Sequence, residues 1–134
     1  MKKTFEELMQ VNGELGNIQK MYPDVVKTKF GYAIKKFTVK NIQKPQEEFF
    51  AALNDIRVEN ALTDEKTKEI LVDQTNQRGY KYSKEGLQAC IKAEKELTIL
   101  WEGKEFDVEP YVCTDDSVPE LTEYQKEVLG GLVI

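Results

Sequence analysis

Six lysines and one acidic loop hold the densest polar chemistry in the chain. Lys27, Lys29, Lys35, Lys36, Lys40 and Lys44 follow one another with no Asp or Glu between Asp24 and Glu47. Such a stripe can neutralise nucleic-acid phosphates or face an acidic protein. Phe30, Ile34 and Phe37 interleave with it and are needed for a core face, so the lysines read first as the solvated side of a helix. No Arg joins them, and Arg is the usual reader of base edges; nucleic acid is therefore the lesser reading. Asp115, Asp116, Glu120 and Glu123 offer hard oxygen ligands. They lack the Asp-x-Asp-x-Asp-Gly order of a calcium loop and read instead as solvation and dipole compensation at a helix start. Tyr80, Tyr82, Tyr111 and Tyr124 combine apolar area with a hydrogen-bonding tip, which suits either an interface or a half-buried sheet. Glu105 and Glu109 form a carboxylate pair with no nucleophile or phosphate loop beside it. "NGELGN" and "LGGL" match no phosphate-cradling pattern. The partner-binding candidates are thus Lys29, Lys36, Lys40, Lys44, Tyr80, Tyr82, Asp115 and Asp116. No catalytic, cofactor-binding or metal-ligating set is assigned.

The composition narrows the chemistry further. The 134 residues contain no histidine. That removes Ser-His-Asp and Cys-His catalysis, histidine bases and nearly every catalytic zinc site, so no enzyme is expected. Cys90 and Cys113 are too few for a disulfide framework and read as free, mostly buried thiols of a reducing compartment. The net charge of −5 is uneven. Residues 1–62 carry ten Lys/Arg against eight Asp/Glu, and residues 63–134 carry nine against sixteen. No apolar run is long enough for a membrane span. "MKKTFEELMQVNGEL" has a basic start but no apolar region after it, so no signal peptide is expected and the protein reads as cytosolic.

The elements that must position these groups follow from periodicity. The length predicts one domain, 1–134, with a helical part over 1–62 and an α+β part over 63–134. Thr4 and Glu7 form a capping box for a helix to about Met21, with Phe5, Leu8, Met9, Val11, Leu15 and Ile18 on one face. Pro23 starts a second helical stretch to about Ala61. Its stripe is Val26, Phe30, Ala33, Ile34, Phe37, Asn41 and Ile42, continued beyond Pro45 by Phe49, Phe50, Leu53, Ile56 and Val58. A proline there predicts a kink or a restart. "EILVD" (69–73) and "GYKYS" (79–83) predict a β-hairpin. Ser83 caps a helix over 84–102, "EFDVEPYV" reads as a strand, and Pro119 opens a last helix to Leu129. The apolar end "LVI" is expected to dock on the core or on a partner. The predicted class is α+β: an N-terminal helical hairpin or kinked long helix, a small antiparallel sheet of about three strands, and covering helices.

A resemblance accompanies this reading. The long helix with a central proline, "ALTDEKTKEILVD", the "YSKEGLQACIKAEKELTILWEGKEFDVEPY" helix and strand, and the closing "VPELTEYQKEVL" resemble a family of small tailed-bacteriophage proteins, over about residues 35–134. The resemblance implies phage origin and a host bacterial cytoplasm, without an enzymatic activity or catalytic residues. With it, the expected function is that of a non-catalytic accessory protein. It would bind a bacterial host protein or another phage protein, and antagonise a host factor such as a defence system. A virion or assembly component, which includes a homo-oligomer, is the alternative, and nucleic-acid binding through the Lys27–Lys44 face the second alternative. No cofactor and no membrane is expected.

Overall fold

The computed structural model describes residues 1–134. It is mostly helical, with one two-stranded antiparallel sheet. The chain divides into two compact units, Met1–Gln46 with Glu102–Ile134, and Glu47–Trp101. The boundaries fall at 46/47 and 101/102, and residue 62 marks none.

In the first unit, strand β1 (Lys2–Thr4) leads directly into helix α1 (Phe5–Met21). Thr4 ends the one and caps the other: its hydroxyl accepts the Glu7 N–H, and the Glu7 carboxylate accepts the Thr4 N–H. β1 pairs with β2 (Glu105–Asp107), Lys2 standing opposite Asp107, an opposite-charge pair across the ladder. Leu8, Val11, Leu15 and Ile18 of α1 are buried. They pack in one core with Phe30, Ile34, Phe37, Ile42, Leu129, Leu132 and Val133.

A short 3-10 helix (Pro23–Lys27) precedes α2 (Lys29–Phe37). Its tighter period buries Val25 and leaves Val26 exposed, which corrects the stripe expected from α-helical spacing. Gly31 is needed where α2 meets this turn. A methyl carbon there would lie 2.1 Å from the Val25 carbonyl oxygen.

The proline neither breaks nor restarts the helix. α2 runs through a π-helical turn (Thr38–Ile42) into α3 (Gln43–Asn60), and Pro45 sits buried within α3. Proline has no N–H and crowds the carbonyl four residues back, here that of Asn41. A π turn, in which Gln43 N–H reaches Thr38 O, widens the ladder at that place. The added residue also buries both Asn41 and Ile42. The Asn41 amide then pairs with the backbone of one residue: Nδ2 donates to Glu109 O at 2.7 Å, and Oδ1 accepts Glu109 N–H at 2.8 Å.

The end of the first unit is held by the tail. Leu132 and Val133 are fully buried, and their carbonyls accept the Tyr111 and Cys113 N–H groups, both at 2.8 Å. Gly131, with φ of +77°, makes the turn that brings them there. The last helix, α5 (Glu123–Leu129), starts four residues later than Pro119 suggested. Thr122 and Gln125 form its capping box, a stronger start signal than the proline.

The second unit contains the later part of α3 and most of α4 (Lys84–Glu102). The two helices run antiparallel: Phe49 meets Trp101 edge-on at 5.5 Å, and Arg57 meets Glu94. Ser83 caps α4 by accepting the Gly86 N–H. Phe50, expected in the core, is exposed, whereas Phe49 is half-buried. The expected segments 69–73 and 79–83 do pair, through one bridge, Val72 to Tyr80. It is flanked by Lys81 N–H to Leu71 O at 2.9 Å and Asp73 N–H to Gly79 O at 3.0 Å. The pairing is too short to form strands, and a further bridge joins Thr63 to Ile70, so the one sheet has two strands and not three. Asp64 and Asp73 turn their carboxylates onto the N–H groups just after them, local bonds that compete with a ladder.

Asn41→Ala would strand the N–H and C=O of Glu109. It should lower stability in urea unfolding by about 2–4 kcal/mol; a loss below about 1 kcal/mol would mean that water replaces the amide. Gly31→Ala should cost about 1–3 kcal/mol in the same assay, since the methyl meets backbone and not a movable side chain.

Candidate functional site

The first unit carries a broad groove of about 590 Å³. α2 lines one wall with Lys29, Tyr32, Ala33 and Lys36, and residues 111–115 line the other. Lys29 and Lys36 are seven residues apart, two helical turns, and so share a face. The Lys36 ammonium lies 5.8 Å from the centre of the Tyr32 ring, within cation–π reach. Tyr32 itself is 61% exposed.

Three side chains fix the wall of α2. The Thr28 hydroxyl donates to Val25 O at 2.6 Å and accepts the Gly31 N–H at 3.2 Å. Ser117 adds a second cap from across the chain, its hydroxyl accepting the Phe30 N–H at 3.0 Å. Asp115 holds Ser117 in turn, accepting its N–H at 2.9 Å and its hydroxyl. Cys113 Sγ donates to the same oxygen at 3.4 Å. The Ser117 hydrogen bonds hold the Asp115 carboxyl below its ordinary value, helped by Cys113 and the charge of Lys29. Asp115 thus organises the loop first and presents charge to the groove second. On the same wall, partial burial and the neighbouring Glu109 push the Tyr111 hydroxyl above its ordinary value.

The expected lysine stripe is split. Lys29 and Lys36 line this groove, whereas Lys35 lines another, of about 430 Å³, with Asn12, Gly16, Gln19 and Val39. Lys40 on the π turn and Lys44 on α3 are exposed and line neither. Asp116 is an exposed loop residue beside Asp115. Tyr80 and Tyr82 belong to the second unit, and both hydroxyls donate within it, to Asn54 Oδ1 at 3.1 Å and to Arg57 O at 3.2 Å. Of the eight candidates three, Lys29, Lys36 and Asp115, share the groove.

The polar centre of the second unit escaped the sequence. Glu94 accepts from Arg57 Nε at 2.8 Å on one oxygen, and from Arg78 Nε at 2.9 Å and its terminal nitrogen at 2.7 Å on the other. Burial alone would raise its carboxyl, but the hydrogen bonds from Arg78 and Arg57 outweigh it and the net shift is downward. Burial, with the nearby Cys90, pushes Tyr82 up to about 12. Both cysteines are free, Cys90 buried and Cys113 half-buried. Arg57, Arg78 and Glu94 are far apart in sequence, so no local pattern announces them. Ser117 was more legible: Asp-Asp-Ser is a turn-forming string.

The Glu94 cluster has a definite pH dependence. Its folded-state value lies below the ordinary 4.5, so its contribution is complete above about pH 4.5 and is lost as pH falls through the folded-state value. Glu94→Gln should cost about 2–3 kcal/mol at pH 7 and flatten the acid limb of unfolding followed by fluorescence of Trp101. An unchanged acid limb would remove Glu94 as its source.

No helix is long and apolar enough to cross a membrane. Compared with protein-family profiles, curated protein sequences and solved structures, the chain matches none of them.

Proposed function

We propose that the protein works without catalysis, by binding another protein through the groove between α2 and residues 111–115. Its role on this reading is that of a phage accessory factor that antagonises a bacterial host factor, such as a defence component, in the host cytoplasm. The observation that carries the binding role is the groove itself: two lysines and an exposed tyrosine on a doubly capped, rigid helix. An exposed tyrosine is favoured at protein interfaces, and the two lysines give the groove a charge that an acidic partner would complement. The resemblance of residues 35–134 to small phage proteins supports the biological setting.

Nucleic acid is the weaker reading, because the lysines that would track a phosphate backbone are split between two grooves. A virion or assembly role is favoured by one feature. Ile99 and Leu100 are adjacent on α4 and 71% and 72% exposed, and a neighbouring copy could cover them.

Affinity capture from nuclease-treated bacterial lysate at two salt concentrations separates these roles. The proposal expects one stoichiometric host protein that survives high salt and is lost with Lys29→Glu/Lys36→Glu. Self-association alone, reduced by Leu100→Lys, would move the role to assembly. Nucleic acid released at high salt would move it to the lysine face.

A further inference from the structure

Residues 109–113 turn every second N–H inward. Glu109 donates to Asn41 Oδ1, Tyr111 to Leu132 O, and Cys113 to Val133 O, each at 2.8 Å. Alternation with a period of two is that of extended chain. It directs the backbone groups of Val112 and Thr114 to the opposite edge, where neither residue makes a backbone hydrogen bond within the protein. Pro110 has no N–H to offer, so the unpaired edge begins at Val112. Val112 and Thr114 are both exposed and both line the groove. An unpaired edge of this kind is a template for another strand.

From this edge we infer that the groove receives an extended, acid-rich peptide segment of the partner protein, added as a strand along Val112–Thr114. The inference rests on the protein-binding role proposed above and names its mode. Charge selects the segment. Lys29 and Lys36 form no ion pair within the protein, and the one carboxylate that lines the groove, Asp115, gives one oxygen to Ser117. The two lysines are about 10 Å apart along α2, a span that a strand covers in about three residues. Two acidic side chains of one short segment can therefore reach both. Tyr32, exposed between them, offers its ring to an apolar side chain of the same segment. The backbone selects the class of partner: Val112 presents a donor and an acceptor together, as a peptide strand requires, whereas the sugar-phosphate backbone of DNA has no donor for the Val112 carbonyl.

The test selects binders from a random 12-residue peptide display library on the full chain, then scans one synthetic binder by N-methylation of each amide. Acid-rich peptides are expected, with affinity falling at least tenfold at every second methylated position. Selection on Lys29→Glu/Lys36→Glu should return Lys- and Arg-rich peptides instead. Val112→Pro, which keeps an extended backbone but removes the donor, should weaken binding while a thermal melt reports an intact fold; if it unfolds, the N-methyl scan still decides. Binders lost on charge reversal but indifferent to N-methylation would overturn the strand edge and leave the protein-binding role standing. Failure to select any groove binder would overturn both. Displacement of the peptide by oligothymidylate, with steep salt dependence, would assign the groove to nucleic acid. A dimer in sedimentation that Val112→Pro dissolves would assign the edge to a second copy of the chain.

Discussion

A single side-chain amide joins the helical and extended parts of the first unit. Asn41, buried in the π turn, gives its donor and its acceptor to the backbone of Glu109, as a neighbouring strand would. A buried peptide group left unpaired is costly, so this pairing fixes where residues 109–113 lie against the helix. The widened turn ahead of Pro45 is what presents Asn41 inward. A regular helix would carry the same residue at a different angle. The proline, the π turn and the amide are thus one device. The groove depends on it, because one of its walls is the segment that Glu109 begins.

The other wall is fixed by a separate chain of bonds. Asp115 holds Ser117, Ser117 and Thr28 cap α2, and α2 carries Lys29, Tyr32 and Lys36. Both walls therefore rest on polar side chains that hydrogen-bond to backbone groups distant in sequence. The second unit has its own polar centre. Few of its side chains are buried, Cys90 fully and Trp101 nearly so, and the two arginine contacts to Glu94 add polar links between its elements. Partly buried pairs of this kind are weak sources of stability, yet costly to break.

Local chemistry made much of the fold legible. The Thr4–Glu7 box, the Ser83 cap, the α1 stripe and the docking of Leu132 and Val133 are features that neighbouring residues or plain hydrophobicity determine. What was misread depended on period or on distance. Val26 was placed inward because a 3-10 turn was read with α-helical spacing. β-branched and aromatic residues at 69–83 predict a hairpin, and the two segments pair through one bridge only, because the Asp73 turn takes up the backbone of the loop between them. The lysines follow one another in sequence, but on the exposed side of α2 they diverge, Lys29 and Lys36 toward one groove and Lys35 toward the other. Asn41 was read as one member of an apolar stripe; its partner lies 68 residues away, and no local pattern carries that pairing.

The placement of residues 109–114 carries the functional reading, and amide hydrogen exchange resolved residue by residue tests it most directly. In the full chain, Glu109, Tyr111 and Cys113 should exchange slowly, and Val112 and Thr114 at rates near those of unstructured peptide. Uniform protection across 111–114 would mean that the edge is already covered. Uniformly fast exchange would mean that Asn41 and the tail do not hold it; either result would contradict an edge held ready beside α2.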